Sequence, residues 1–261
     1  VTAVLLSLIL GLGLSVSQAI RATRAEAAAK KDRDLALAEQ NRADEENQIA
    51  QAVTRFVMDD LLGQADLANQ SGESERDPEI KVKELVLRAS QRVGSRFSDQ
   101  PQIEIAIRRT LSSAWIALGE IPIAMEHARE AVRLSEIHYQ PEDRQRQISD
   151  QFLTHALLEA GQSAEAIRLA TQVRDYFQAT LGEDHIDTQR AVGLLARALN
   201  TGGFLSESEE LLKQTLARRQ QLLGADHEET LRASYNRATV QANLGKLSQA
   251  EEVFRGSVQQ R

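Results

Sequence analysis

Near the end of the chain the stretch LGADHEET, Leu223 to Thr230, sets an aspartate beside a histidine, and a near copy, LGEDHIDT, occupies Leu181 to Thr188. Such a pair can orient an imidazole as a general base or supply two ligands to a metal ion. The wider sequence speaks against both. The five histidines, at 127, 138, 155, 185 and 227, include no two at the three- or four-residue spacing that places two ligands on one helix face. No serine lies in a nucleophile-elbow context, and Gly11-Leu12-Gly13 sits inside an apolar run, where it cannot cradle phosphate. The chain has no cysteine, which removes thiolate zinc sites, cysteine nucleophiles and disulfides. Catalytic, cofactor-binding and metal-binding residues are therefore expected to be none.

What the two stretches share is a period. Gly119, Gly161, Gly203 and Gly245 recur every 42 residues. Five residues after each comes a small residue, Ala124, Ala166, Ser208 and Ala250, and seven before each comes another, Ser112, Thr154, Ala196 and Ala238. Three columns in step define a structural repeat. Its physics is that of two antiparallel helices joined at a glycine, with small residues on both helices allowing close approach. Leu111, Leu153 and Leu195, with Trp115, Leu157 and Leu199 four residues on, are the expected core; in the last unit Arg237 and Gln241 stand in those columns. The aspartate of each DH pair then starts a helix. Asp226 with Glu229, Asp184 with Asp187, and Glu142 with Gln145 have the spacing of a capping arrangement in which the first residue accepts from backbone N–H groups and the later one reaches back.

The composition agrees with an all-α fold. Aromatic residues make up 4% and there are four prolines, while unbranched helix formers dominate. A net charge of -7 argues against nucleic acid as a partner, since a phosphate-binding surface is usually basic.

Residues 101 to 261 resemble tetratricopeptide repeats, helix-turn-helix units that stack into a right-handed superhelix, and the LGxDHxxT connection with its longer period resembles the kinesin-light-chain type. The resemblance implies repeats over about 101–140, 141–182, 183–224 and 225–261, with a capping helix over about 80–97. It also implies that the first helix of each pair lines a concave surface carrying Arg109, Gln151, His155, Arg190, Arg197, Asn200, Arg232, Tyr235 and Asn243. Four arginines there suit a protein or peptide partner of acidic character, because guanidinium pairs bidentately with carboxylate. Pairing of the same arginines with acids on neighbouring repeats is the competing expectation.

Ahead of the repeats, residues 1–20 are uncharged and, at about 1.5 Å per residue, span roughly the 30 Å of a bilayer core. They are expected to be a transmembrane helix; a signal peptide, with small residues at Ser15-Val16-Ser17, is the alternative. Residues 21–69 read as a long exposed juxtamembrane helix, and the polar run at 70–79 as a linker. Leu35, Ile49 and Phe56 keep a seven-residue register that Arg42 interrupts, so a coiled-coil stalk has little support. The stretches Ala52 to Asp66 and Ile80 to Glu120 resemble the segment that joins membrane helix to repeats in bacterial transmembrane serine/threonine protein kinases. That resemblance implies a recruiting or sensing region for a kinase whose catalytic domain, with its ATP and Mg, lies before Val1. It further implies a single-pass membrane protein with extracytoplasmic repeats, although the basic run Arg21 to Arg33 favours the cytoplasmic side. Val1 is not a methionine and helical periodicity runs to the last residues, so the chain is expected to be part of a longer protein. A stand-alone exported or anchored repeat scaffold is the rival expectation.

Overall fold

The computed structural model describes residues 26, 29–34, 36–37, 39–62 and 82–259, and no strand occurs among them. The membrane helix expected at 1–20 and the linker expected at 70–79 lie outside the described residues. Among the described residues no helix is long and apolar enough to cross a membrane. The chain divides into two compact units, Val1–Thr54 and Arg55–Arg261. The described part of the first is helical and largely exposed, carrying an i,i+4 pair between Arg42 and Glu46 at 3.9 Å.

The second unit opens with a π-helical stretch, Phe56–Leu62. Nine helices follow among its described residues: α1 (Val82–Arg96), α2 (Pro101–Ala117), α3 (Ile121–His138), α4 (Arg144–Glu159), α5 (Ser163–Leu181), α6 (Ile186–Thr201), α7 (Leu205–Leu223), α8 (Glu228–Asn243) and α9 (Leu247–Gln259). Helices α2 to α9 form four antiparallel pairs, and each second helix packs also on the first helix of the next pair. Helix α1 caps the array. Its Ser90 hydroxyl accepts from the indole N–H of Trp115 at 2.9 Å, and Phe97 just after it meets Phe56 edge-on at 6.3 Å.

The glycine columns act as the spacing requires. Gly161 has φ of 72°, its N–H donates to Leu158 O at 3.1 Å, and Gln162 N–H donates to Leu157 O at 2.9 Å, which satisfies the last carbonyls of α4. Gly119, Gly203 and Gly245 repeat this at φ of 75°, 83° and 78°. The small residues lie where paired helices cross: Ser112, Thr154, Ala196, Ala124, Ala166 and Ser208 are fully buried. Trp115, Leu111 and Leu157 are fully buried beside them. In the last pair Gln241 is buried by hydrogen bonding instead, donating to Glu209 at 3.2 Å and to Gln249 at 3.1 Å.

The capping expectation is corrected by one residue. Helix α8 is capped by His227, not Asp226: its Nδ1 accepts from Glu229 N–H at 3.2 Å. Likewise His185 caps α6, accepting from Asp187 N–H at 3.1 Å, and Asp143 caps α4, accepting from Gln145 N–H at 2.7 Å. These three stand 42 residues apart, so the cap column is Asp143, His185 and His227. An extended backbone at each cap turns its side chain onto the second helical N–H, whereas Asp184, one residue earlier, instead reaches back to Arg218 of α7. Nor do Asp187 and Glu229 reach back; both receive arginines, as described below.

One arginine is built into the seam between the last two pairs. Arg219 of α7 stands 42 residues after Phe177, and only 4% of its surface is exposed. It donates to Glu229 O at 2.6 Å and Gln189 O at 2.9 Å, and lies 3.3 Å from the Glu229 carboxylate. Hydrogen bonds and the Glu229 charge offset part of its desolvation, which still lowers its pKa.

These contacts set the expected order of stabilities. His227→Ala is expected to cost about 1 kcal/mol while Asp226→Ala changes little, a ranking that thermal melts check. Arg219→Ala leaves the Glu229 charge buried without this partner and is expected to cost about 3 kcal/mol or more by chemical denaturation. His127 is buried in α3, where desolvation and then the Arg108 charge push its pKa down to about 4. A histidine with a depressed folded pKa supports the fold above its unfolded value, about 6.5, and loses that support as pH falls towards 4. The His127 contribution is therefore expected to be lost between about pH 6.5 and 4, so that melts recorded across that range fall less steeply with pH in His127→Gln than in the parent.

Candidate functional site: the inner face of the repeat array

Helices α2, α4, α6 and α8 touch one another in order along the array, so the first helices form one continuous face. Two sets of contacts show that they run parallel. Near their starts, Arg144 of α4 donates to Asp187 of α6 at 2.7 Å, and Arg190 of α6 lies 3.7 Å from Glu229 of α8. Near their ends, Arg197 of α6 pairs with Glu159 of α4, and the Asn243 amide of α8 donates to Asn200 of α6 at 2.9 Å.

The two ends of this face differ chemically. At the starts, Asp187 and Glu229 have side chains only 14% and 10% exposed. Asp187 faces Arg144 and Arg190; Glu229 faces Arg190 at 3.7 Å, Arg219 at 3.3 Å and Arg232 at 3.6 Å. Four guanidinium groups thus surround two nearly buried carboxylates, and the positive ends of three helix dipoles add to them. Arg232 also pairs with the exposed Glu228 at 2.7 Å. Arg190 is more than half exposed and sits 3.7 Å from an acid on either side, beyond hydrogen-bonding reach. It is held in place by charge with its N–H donors unspent.

At the ends of the helices the face is close to neutral. A cleft of about 320 Å³ is lined by Ser113, Ile116, Gln151, Phe152, His155, Glu159 and Arg197. Arg197 there serves Glu159 and also meets His155 Nδ1 at 3.2 Å. The imidazole, open to solvent but crowded by the wall of the cleft, is pushed down to about 4 by desolvation and then by the Arg197 charge, so it stays a neutral acceptor at pH 7.

The sequence-expected residues therefore divide. Arg190, Arg232, Tyr235, Arg197, His155 and Asn243 lie exposed on the first helices, with Gln151 and Asn200 half-buried among them. Arg109 does not line an open surface. It is 5% exposed, donates to the Gln145 side chain at 3.0 Å, and burial pushes its pKa down to about 10. Its column, Arg109, Gln151, Gly193 and Tyr235, is buried at its first member because α4 closes over α2 there. Sequence reasoning missed Arg144, Asp187, Glu229, Glu159 and Phe152. The Gln145, Asp187 and Glu229 column was visible in the period, but its use as a receiver of arginines required knowing which helix lies beside which.

A second cavity, about 690 Å³, lies outside this face between α5 and α7 over α6, and Arg174, Glu183, Asp184, Gln189, Arg218 and Leu222 are among its lining residues. Arg218 spans it to Glu183 and Asp184. Among the described residues no group of three metal-ligating side chains converges.

Comparison with known proteins places this geometry. Residues 189–259 match the family model of the tetratricopeptide repeat. No curated protein matches the chain. Among solved structures, a kinesin-light-chain-like protein of Podosopora anserina with nearly identical TPR-like repeats superposes with a TM-score of 0.57 at 22% identity, over 80% of this chain and 92% of that one. BtubC (BKLC) from P. vanneervenii matches at a TM-score of 0.55 and 18% identity over 82% of this chain and 89% of its own. A Rap protein complexed with Competence and Sporulation Factor matches at 0.52 and 13% identity over 80% of this chain and 65% of its own. At such identities the likeness is one of fold, and it agrees with the repeat period: the helices of the second unit form an all-α, tetratricopeptide-like helical-repeat solenoid.

Proposed function

We propose that the chain is a protein-binding repeat array whose inner face takes an extended, acidic peptide segment, and that it serves as the recruiting or sensing region of a membrane-bound serine/threonine protein kinase. A tetratricopeptide-like solenoid suits protein–protein interaction, and the Rap protein of similar fold is a complex with Competence and Sporulation Factor. The observation that carries the acidic partner is Arg190, fixed between Asp187 and Glu229 with its hydrogen-bond donors available and Arg144 and Arg232 on either side. Carboxylates arriving there gain bidentate pairing without the entropy cost of ordering the arginine. Arg197 contributes less, since Glu159 already occupies it. The kinase and the membrane anchor through residues 1–20, with the repeats outside the cytoplasm, rest on the resemblance of Ala52 to Asp66 and Ile80 to Glu120 to the connecting segment of such kinases. Supply of ATP and Mg belongs in that reading to a catalytic domain before Val1.

Removal of Arg190 and Arg232 together is expected to weaken binding of a glutamate-rich peptide by roughly tenfold or more, about 1.4 kcal/mol per factor of ten, while Arg197→Ala has a smaller effect. Titration by fluorescence anisotropy at low and high salt checks this, and affinity that neither salt nor the double substitution lowers overturns the acidic partner.

A further inference from the structure

Glycine at position 193 has no cause within the fold. Gly119, Gly161, Gly182, Gly203, Gly224 and Gly245 all adopt positive φ, which Gly193 does not. Gly202 is crowded, because a Cβ there would meet the Ile167 side chain at 2.8 Å, and one at Gly94 would meet Arg108 at 3.1 Å. A Cβ at Gly193 would meet nothing within 4 Å. Yet the residue lies inside α6, where glycine weakens a helix relative to alanine. Its position gives it a use. Gly193 falls between Arg190 and Arg197 on the inner stripe of α6, and its 42-residue equivalents on the adjoining first helices are Gln151 of α4 and Tyr235 of α8. The inner face thus has a patch of bare helix backbone, with the arginine cluster on one side of it and the neutral cleft on the other.

We propose that Gly193 is the floor of the recognition groove, over which the main chain of an extended acidic peptide passes in direct contact with α6, its carboxylates drawn to Arg190 and Arg232. This rests on the acidic-peptide reading above and adds the path of the ligand. A side chain at 193 would lift the ligand off the helix and lengthen its pairs with the arginines, so the helix forgoes stability to keep the floor low.

The full chain and its variants are titrated against a fluorescein-labelled glutamate dodecamer at low salt, with thermal melts run on each. Gly193→Ala is expected to melt higher than the parent yet bind severalfold more weakly. Gly193→Leu is expected to remain folded and lose at least tenfold in affinity, whereas Ser206→Leu, on the exposed side of α7, binds as the parent does. If Gly193→Leu binds like the parent while Arg190→Ala does not, the floor is refuted and the acidic partner stands. If Arg190→Ala binds like the parent while Gly193→Leu does not, the floor stands and the arginine anchor falls. A parent that does not bind the dodecamer overturns both.

Discussion

Everything in the repeat unit depends on how closely its two helices can approach. The fully buried small residues, Ser112, Thr154 and Ala196 on first helices against Ala124, Ala166 and Ser208 on second ones, bring the backbones together at each crossing. The large apolar side chains fill the space between units: Leu153 and Leu157 share a core with Met125 of the preceding pair and Leu194 of the next, and Phe177 packs with Ala191 of the next pair. A pair cannot bury those faces alone, so stability is shared along the array. The positive-φ glycines fix the turn tightly enough for the same crossing to recur at every unit.

That recurrence turns sequence columns into spatial rows, and the rows decide where charge collects. Position 145 and its equivalents, Gln145, Asp187 and Glu229, each receive a guanidinium from the preceding unit: Arg109, Arg144, and Arg190 with Arg219. The clasp tightens the stack and at the same time holds Arg190 ready for a further anion. One set of interactions thereby serves both cohesion and recognition. The two uses compete at Arg109, which is spent wholly on cohesion.

The histidines of the LGxDH connections show how local the capping decision is. A capping-box reading favours the aspartate, because carboxylate is the stronger cap. The backbone enters α6 and α8 one residue later than that reading requires, so imidazole Nδ1 takes the place that Asp143 fills in the earlier unit. Freed from the cap, Asp184 closes onto Arg218 and ties α7 to its own connection, much as the Tyr176 hydroxyl donates to Glu142 O one unit before.

The 42-residue period, read from glycines and small residues alone, determined the helix pairing, the turns and the buried core, because those features depend on contacts within one unit and its copy. It also marked the first helices as the face to examine. Which arginines remain available there was decided only by the tertiary structure. Arg232 has acids on its own helix, Glu228 and Glu229, at spacings a sequence shows, but the neighbours that set the other three apart come from other helices: Gln145 and burial for Arg109, Glu229 beside its own Asp187 for Arg190, and Glu159 for Arg197. Gly193 makes the same point. In sequence it is one more glycine in a helix, and only its ordinary backbone angle together with the empty space where its Cβ would stand separates it from the glycines that the fold requires.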